Sequence, residues 1–195
     1  MISFGFNAMN AKRGRLRRRR FIQLGATAAL AGPTISCTAN RSPWRFFTVE
    51  EARAVEAMCD QIIPADQDPG AKWAGVVRYI DRQLSGRFQA SQNTYRLGIA
   101  ALDRNSRALH GAAFADLAPE QQLSVLTALD ENKAPKEAWQ GVEAKPFFTL
   151  VVAHTMQGFY GSPRHGGNRE AVSWRMIGVP ALPVRGRLQY DERKG

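Results

Sequence analysis

Cysteine is scarce in this chain, which has two such residues, Cys37 and Cys59, among 195. Two cysteines are too few for a structural zinc site of the four-ligand kind. Two alternatives remain open. Cys59 pairs in a disulfide, with Cys37 or with a partner chain, or Cys37 carries a lipid, since a small residue, Ser36, precedes it.

Histidine is also scarce, and the three residues, His110, His154 and His165, are far apart in the sequence. No two of them have the i, i+4 spacing of a helical metal site. The sequence also lacks the glycine patterns of nucleotide-binding loops and a nucleophile elbow. We therefore expect no catalytic residues and no metal site in this chain. One alternative is an enzyme that uses His154 or His165 as a base, although His154 has the setting of a packing histidine.

Long apolar runs are absent, but a short one follows a basic stretch at the N-terminus. Arg17 to Arg20 precede ten uncharged residues, 22–31, that end in small side chains. This layout predicts an export signal over residues 1–31, and Arg18, Arg19 and Phe21 match the twin-arginine type. The alternatives are a retained membrane anchor and a basic arm that binds nucleic acid.

The charge distribution separates the leader from the rest of the protein. The formal net charge is +10, but residues 1–21 hold seven basic residues and no acidic ones. The remainder has 20 basic against 17 acidic residues. Because nucleic-acid-binding domains have a clustered basic face, this balance argues against nucleic acid as a partner.

No alternating strand pattern of useful length is present, so we predict one all-α domain of five to six helices. The linker is expected at 32–46, the domain at 47–180 and an extended tail at 181–195. Thr48 and Glu51 predict a capping box for a first helix that Pro64 ends. The further helices are predicted at 73–84, 93–110, from Pro119 with a stripe of Leu123, Leu126 and Leu129, at 145–159 and, after a cap at Asn168, at 174–177.

An aromatic, glycine-rich loop at 158–168 is the most distinctive part of the body. Interface cores favour aromatic residues, Met and Arg. The loop and the short helix after it are therefore predicted to bind a partner protein. The alternative is an ordinary loop packed on its own core. The candidate partner-binding residues are Phe159, Tyr160, Arg164, Asn168, Trp174 and Arg175.

Several motifs resemble one known family over residues 46–180. They are Thr48-Val-Glu-Glu-Ala, Cys59 to Asp66 (CDQIIPAD), Gly98 to Asp103 (GIAALD), Phe114 to Gln121 (FADLAPEQ), Gly158 to Asn168 (GFYGSPRHGGN) and Trp174 to Gly178 (WRMIG). Together they resemble the small subunit of gluconate 2-dehydrogenase, known as the subunit 3 family. The loop at 158–168 is the most specific of these motifs.

The resemblance implies a non-catalytic accessory subunit of a periplasmic dehydrogenase complex that is associated with the inner membrane. In such complexes a flavoprotein large subunit holds FAD and oxidises a sugar, sugar acid or polyol. A multihaem cytochrome c subunit carries haem c. The small subunit has no cofactor of its own and escorts the large subunit through the twin-arginine translocase. The alternative is a periplasmic helical scaffold or binding protein without an oxidoreductase partner.

Overall fold

The computed structural model describes residues 42–179, and within this range every regular element is helical. The prediction of an all-α fold is confirmed. Seven α-helices occur in the described residues, joined by short 3₁₀ turns. They are α1 (Val49–Ile62), α2 (Ala71–Ala74), α3 (Val76–Leu84), α4 (Gln92–His110), α5 (Pro119–Asp130), α6 (Ala144–Tyr160) and α7 (Val172–Met176).

Helix α1 begins and ends where the local sequence predicts. The Thr48 hydroxyl accepts a hydrogen bond from the backbone N–H of Glu51, and the Glu51 carboxylate accepts one from the N–H of Thr48. These two bonds satisfy donors that the first helical turn cannot pair internally. The helix ends at Ile62, just ahead of Pro64.

The prediction of a single helix at 73–84 is wrong. Two helices, α2 and α3, meet there at Gly75. Gly75 has a φ of 71°, in the left-handed region that a residue without a side chain adopts at little cost. The break turns Trp73 away from the core, and its side chain is 38% exposed. In α5 the predicted apolar stripe is wrong at one position, because Leu123 is exposed and Val125 is buried in the core instead.

Asp81 of α3 is a buried carboxylate, since the residue is only 3% exposed. Its oxygens accept hydrogen bonds from the backbone N–H groups of Arg45, Phe46 and Phe47 at 2.8, 2.9 and 3.1 Å. The packed body therefore starts before residue 47, inside the stretch predicted as linker.

The core lies between α1, α3, α4 and α6, and two glycines allow its closest contacts. A Cβ atom on Gly98 of α4 would overlap the ring of Phe147 on α6. A Cβ atom on Gly158 of α6 would lie 2.9 Å from Cδ1 of Tyr79 on α3. Helix α6 is thereby held against both neighbours, and its C-terminal end carries the glycine-rich loop.

Candidate functional site

Exposed apolar side chains are concentrated in the C-terminal part of the described chain. Nine large hydrophobic residues are exposed between 42 and 179, and five of them lie between 156 and 179. Scattered exposed hydrophobic residues are ordinary, so the case for a site depends on the hydrogen bonds that bring the end of α6 and helix α7 together. We call the following five side chains the apolar surface: Met156, Tyr160, Met176, Ile177 and Val179.

Hydrogen bonds hold this surface together across the loop. The indole N–H of Trp174 on α7 donates to the carbonyl of Tyr160 at the end of α6, at 2.8 Å. Asn168 is fully buried; its amide group donates to the Gly161 carbonyl at 2.8 Å and accepts from the N–H of Ser173 at 3.0 Å. The N-cap of α7 is Ala171 and not the predicted Asn168, although the Asn168 side chain does bond an N–H in the first turn of α7.

The backbone between α6 and α7 is strained. Asn168, Glu170 and Ala171 have φ angles of 45°, 53° and 54°, a region that residues with a side chain rarely adopt. Such conformations cost about 1–3 kcal/mol each and persist where the surroundings force them. Here Gly167 packs so tightly on α6 that a Cβ atom would overlap the carbonyl of Gly158. The loop is therefore a fixed platform.

The sequence-predicted partner-binding residues divide into two groups. Tyr160 (44% exposed), Arg164 and Arg175 are exposed, and Trp174 is half-buried. Phe159 and Asn168 are fully buried, so their side chains support the loop from inside and are not available to a partner. The ring of Phe159 packs edge-on against that of Tyr160, with centroids 5.0 Å apart.

The two exposed arginines among these residues have different local contacts. Arg175 donates to the carbonyl of Glu170 and lies 3.9 Å from its carboxylate. The Nε of Arg164 donates to Nε2 of His165 at 3.1 Å. The prediction from sequence missed Met156, Met176 and Ile177 as members of this site. Their signal in the sequence is weak, because each also fits the apolar pattern of its own helix.

His154, the candidate base of the enzyme alternative, lies in the core at 5% exposure. Its ring is stacked on Phe88 with centroids 4.1 Å apart, and its Nδ1 lies 3.0 Å from the hydroxyl of Tyr95. Burial lowers the pKa of His154 below its ordinary value of 6.5. No carboxylate is among its hydrogen-bond partners in the described residues. This setting suits a packing histidine better than a catalytic base.

Cys59, a candidate for a disulfide, is a buried thiol whose Sγ lies 3.2 Å from Oγ1 of Thr155. Burial raises its pKa to about 12, so the thiol stays protonated and unreactive in this position. Its possible partner Cys37 lies outside the described residues, as do Arg18, Arg19 and Phe21 of the predicted export signal. The disulfide, the lipid and the signal therefore stay predictions.

None of the helices within residues 42–179 has the length and apolar character needed to cross a bilayer. No three His, Cys, Asp or Glu side chains of the same range are grouped so that they could hold a metal ion.

Comparison with known proteins gives one match. The model of the family described as gluconate 2-dehydrogenase subunit 3 matches residues 49–180. No curated protein and no solved structure matches the chain. The matched range begins with α1 and includes all seven helices, the strained loop and the apolar surface. It confirms the resemblance carried by the sequence motifs.

Proposed function

Because the chain belongs to the gluconate 2-dehydrogenase subunit 3 family, we propose that it is the non-catalytic small subunit of a periplasmic, FAD-dependent dehydrogenase complex. Membership of this family implies a subunit of a multisubunit dehydrogenase. In the proposal, the chain binds the flavoprotein large subunit, stabilises it and accompanies it through the twin-arginine translocase. FAD belongs to the large subunit and haem c to a further one. The complex oxidises gluconate or another sugar acid, a sugar or a polyol, and is held peripherally at the inner membrane.

The apolar surface is the single observation that carries this proposal. Tyr160 and Ile177 are 44% and 62% exposed, on a platform whose backbone is strained and is held by the side-chain hydrogen bonds of Asn168. Exposed aromatic and Met side chains on a rigid support suit a partner interface. A support that is already rigid loses little conformational entropy when it binds a partner.

The first experiment co-expresses the full chain with the flavoprotein subunit of the same host. A stable complex that contains FAD is expected. Tyr160→Asp and Ile177→Asp should each abolish it, since each places a charge in the apolar surface. Leu109→Asp and Leu123→Asp are matched controls, because these leucines are 52% and 55% exposed on other helices. Both controls should leave the complex intact.

The second experiment tests export. Replacing both Arg18 and Arg19 with Lys should leave this chain and the flavoprotein in the cytoplasm, because the twin-arginine signal depends on that pair. The control replaces Arg13 and Arg15 with Lys, which keeps the same charge and the same number of changes. Export of the flavoprotein by the Arg18→Lys/Arg19→Lys chain contradicts the escort role. A stable partner without flavin would favour the alternative of a periplasmic scaffold.

A further inference from the structure

Three arginines surround the point where the strained loop meets α3, and we call Arg78, Arg82 and Arg169 the arginine cluster. A Cβ atom built on Gly75 would lie 3.7 Å from Nη2 of Arg169 and 3.9 Å from Cδ of Arg78. The same atom would lie 3.6 Å from the carbonyl oxygen of Gly166 in the loop. A Cβ atom built on Gly166 would lie 3.0 Å from Nη1 of Arg82. Two separate segments of the chain thus bring these arginine side chains to one place.

No acidic side chain neutralises this cluster within residues 42–179. The ion pairs of that range join Arg53 to Asp116, Arg96 to Glu51, Lys133 to Glu131 and Arg175 to Glu170. Asp81 lies on α3 between Arg78 and Arg82, but it is buried, and its oxygens accept three backbone N–H bonds. All three arginines are exposed to solvent. Like charges brought together without a counter-charge repel one another, so their mutual repulsion costs the isolated chain some stability.

The positions of these charges are nevertheless set by the fold. Arg78 and Arg82 are four residues apart on α3 and therefore share one face of the helix. The guanidinium carbon of Arg169 lies 5.5 Å from the centroid of the exposed Trp73 ring, within the range of a cation–π contact. The loop that carries Arg169 is held by Gly167 and the buried Asn168. The backbone positions that carry the cluster are thus fixed relative to one another.

We propose that the arginine cluster is an electrostatic docking site for a segment of the large subunit that is rich in Asp and Glu. This inference rests on the proposed function and names a second contact, beside the apolar surface. Planar guanidinium groups bind carboxylates through paired hydrogen bonds, so a preset spacing of several arginines selects a carboxylate pattern. An anionic membrane surface would require only net positive charge, and the strained support of the loop would serve no purpose there.

The test measures the dissociation constant of the complex between the full chain and the flavoprotein as a function of NaCl concentration. The test variant is Arg78→Glu/Arg82→Glu. The matched control is Arg107→Glu/Lys136→Glu, which makes the same change in charge at exposed positions on α4 and in the turn at Lys136–Ala138. Thermal unfolding of both variants verifies that they are folded. A neutral variant, Arg78→Gln/Arg82→Gln, is expected to unfold at the same temperature as the parent or higher.

At low salt the test variant is expected to bind about tenfold more weakly or worse, and the control about as tightly as the parent. The difference should shrink towards about 0.5 M NaCl, where the Debye length falls to a few ångströms. If the complex forms and the test variant binds as tightly as the control, this inference is wrong and the proposed function stands. If the parent chain forms no complex with the flavoprotein, both are wrong.

A membrane role is distinguished by sedimentation with phosphatidylglycerol vesicles, with phosphatidylcholine vesicles for comparison. Suppose that the parent chain binds the anionic vesicles and that Arg78→Glu/Arg82→Glu loses this binding while its affinity for the flavoprotein is unchanged. The cluster then faces lipid, and the docking proposal is overturned. Binding to the flavoprotein that depends on the cluster, with no vesicle binding, supports it.

Discussion

The carboxylate of Asp81 accepts a hydrogen bond from the backbone N–H of Phe46 at 2.9 Å, across 35 residues of sequence. Two further bonds, from Arg45 and Phe47, complete this attachment of the segment before α1 to α3. Arg96 of α4 supports the same segment, because it donates to the carbonyl of Phe46 at 2.6 Å and lies over its ring. The segment before α1 is thus held by α3 and α4, two helices that are distant from it in the sequence.

Asp81→Asn should lower the free energy of unfolding by about 2 kcal/mol. The substitution replaces one acceptor oxygen with an NH₂ group, which leaves at least one backbone N–H of residues 45–47 without a partner. Chemical denaturation measures the change, and hydrogen exchange should be faster at the amide that loses its acceptor, which is Arg45 if the remaining oxygen takes the Oδ1 position. Asp130→Asn, at an exposed position, is the control and should change little. Equal stability of Asp81→Asn and the parent would show that these bonds contribute nothing.

Gly98→Ala should destabilise the protein by about 1–3 kcal/mol, although Ala is the better helix former. The added methyl group would overlap the ring of Phe147, which is fully buried and cannot move aside. Gly86→Ala is the control, because its Cβ atom would have its nearest neighbour at 3.6 Å.

A double-mutant cycle tests the cause of that loss. Phe147→Leu removes part of the ring, so Gly98→Ala should cost less in the Phe147→Leu background than in the parent. The free energies come from denaturation of all four proteins. Strictly additive effects would mean that Gly98 is required for a reason other than the contact with Phe147.

Local signals predicted the helices well and the tertiary contacts poorly. The bounds of α1 depend on Thr48, Glu51 and Pro64, all within or beside the helix, and these were visible in the sequence. The break at Gly75 was not, because a glycine inside a helical pattern is usually tolerated and its left-handed φ follows from the packing of α2 and α3. The burial of Asp81 likewise depends on backbone groups 34–36 residues away.

The candidate site shows the same division. The sequence identified the loop at 158–168 and the aromatic residues near it as distinctive. It did not separate Tyr160, which is exposed, from Phe159, which is fully buried. Adjacent aromatic residues on one helix point to different sides of that helix. Which side is buried depends on how α6 crosses α3 and α4, and the sequence does not show this. The arginine cluster was also missed, because its members come from two segments about 90 residues apart.

His154 should make stability depend on pH near neutrality. Burial lowers its pKa in the folded state below the ordinary 6.5, so the unfolded chain binds a proton more readily. Its contribution to stability is therefore complete above about pH 6.5 and is lost as the pH falls from there towards the folded-state pKa. The free energy of unfolding should therefore decline as the pH falls below about 6.5. His154→Gln should flatten this decline, and the exposed His110→Gln should not. Equal slopes for the parent and His154→Gln would contradict the assignment.

Asn168 should determine whether the loop and α7 stay in place. Asn168→Ala removes both hydrogen bonds and leaves an alanine at a φ of 45°, so we expect a loss of about 2–4 kcal/mol. Asn168→Gly removes the same bonds but relieves the backbone, so it should cost less than Asn168→Ala. Hydrogen exchange at the Ser173 amide, which donates to Asn168, should accelerate in both variants.

Asn132→Gly is the control, because Asn132 is exposed and also has a positive φ, of 56°. Glycine there relieves backbone strain without removing the hydrogen bonds of Asn168, so it should not weaken the loop. If Asn168→Gly proved the more damaging variant, the backbone strain at this residue would be negligible and the side-chain bonds alone would hold the loop.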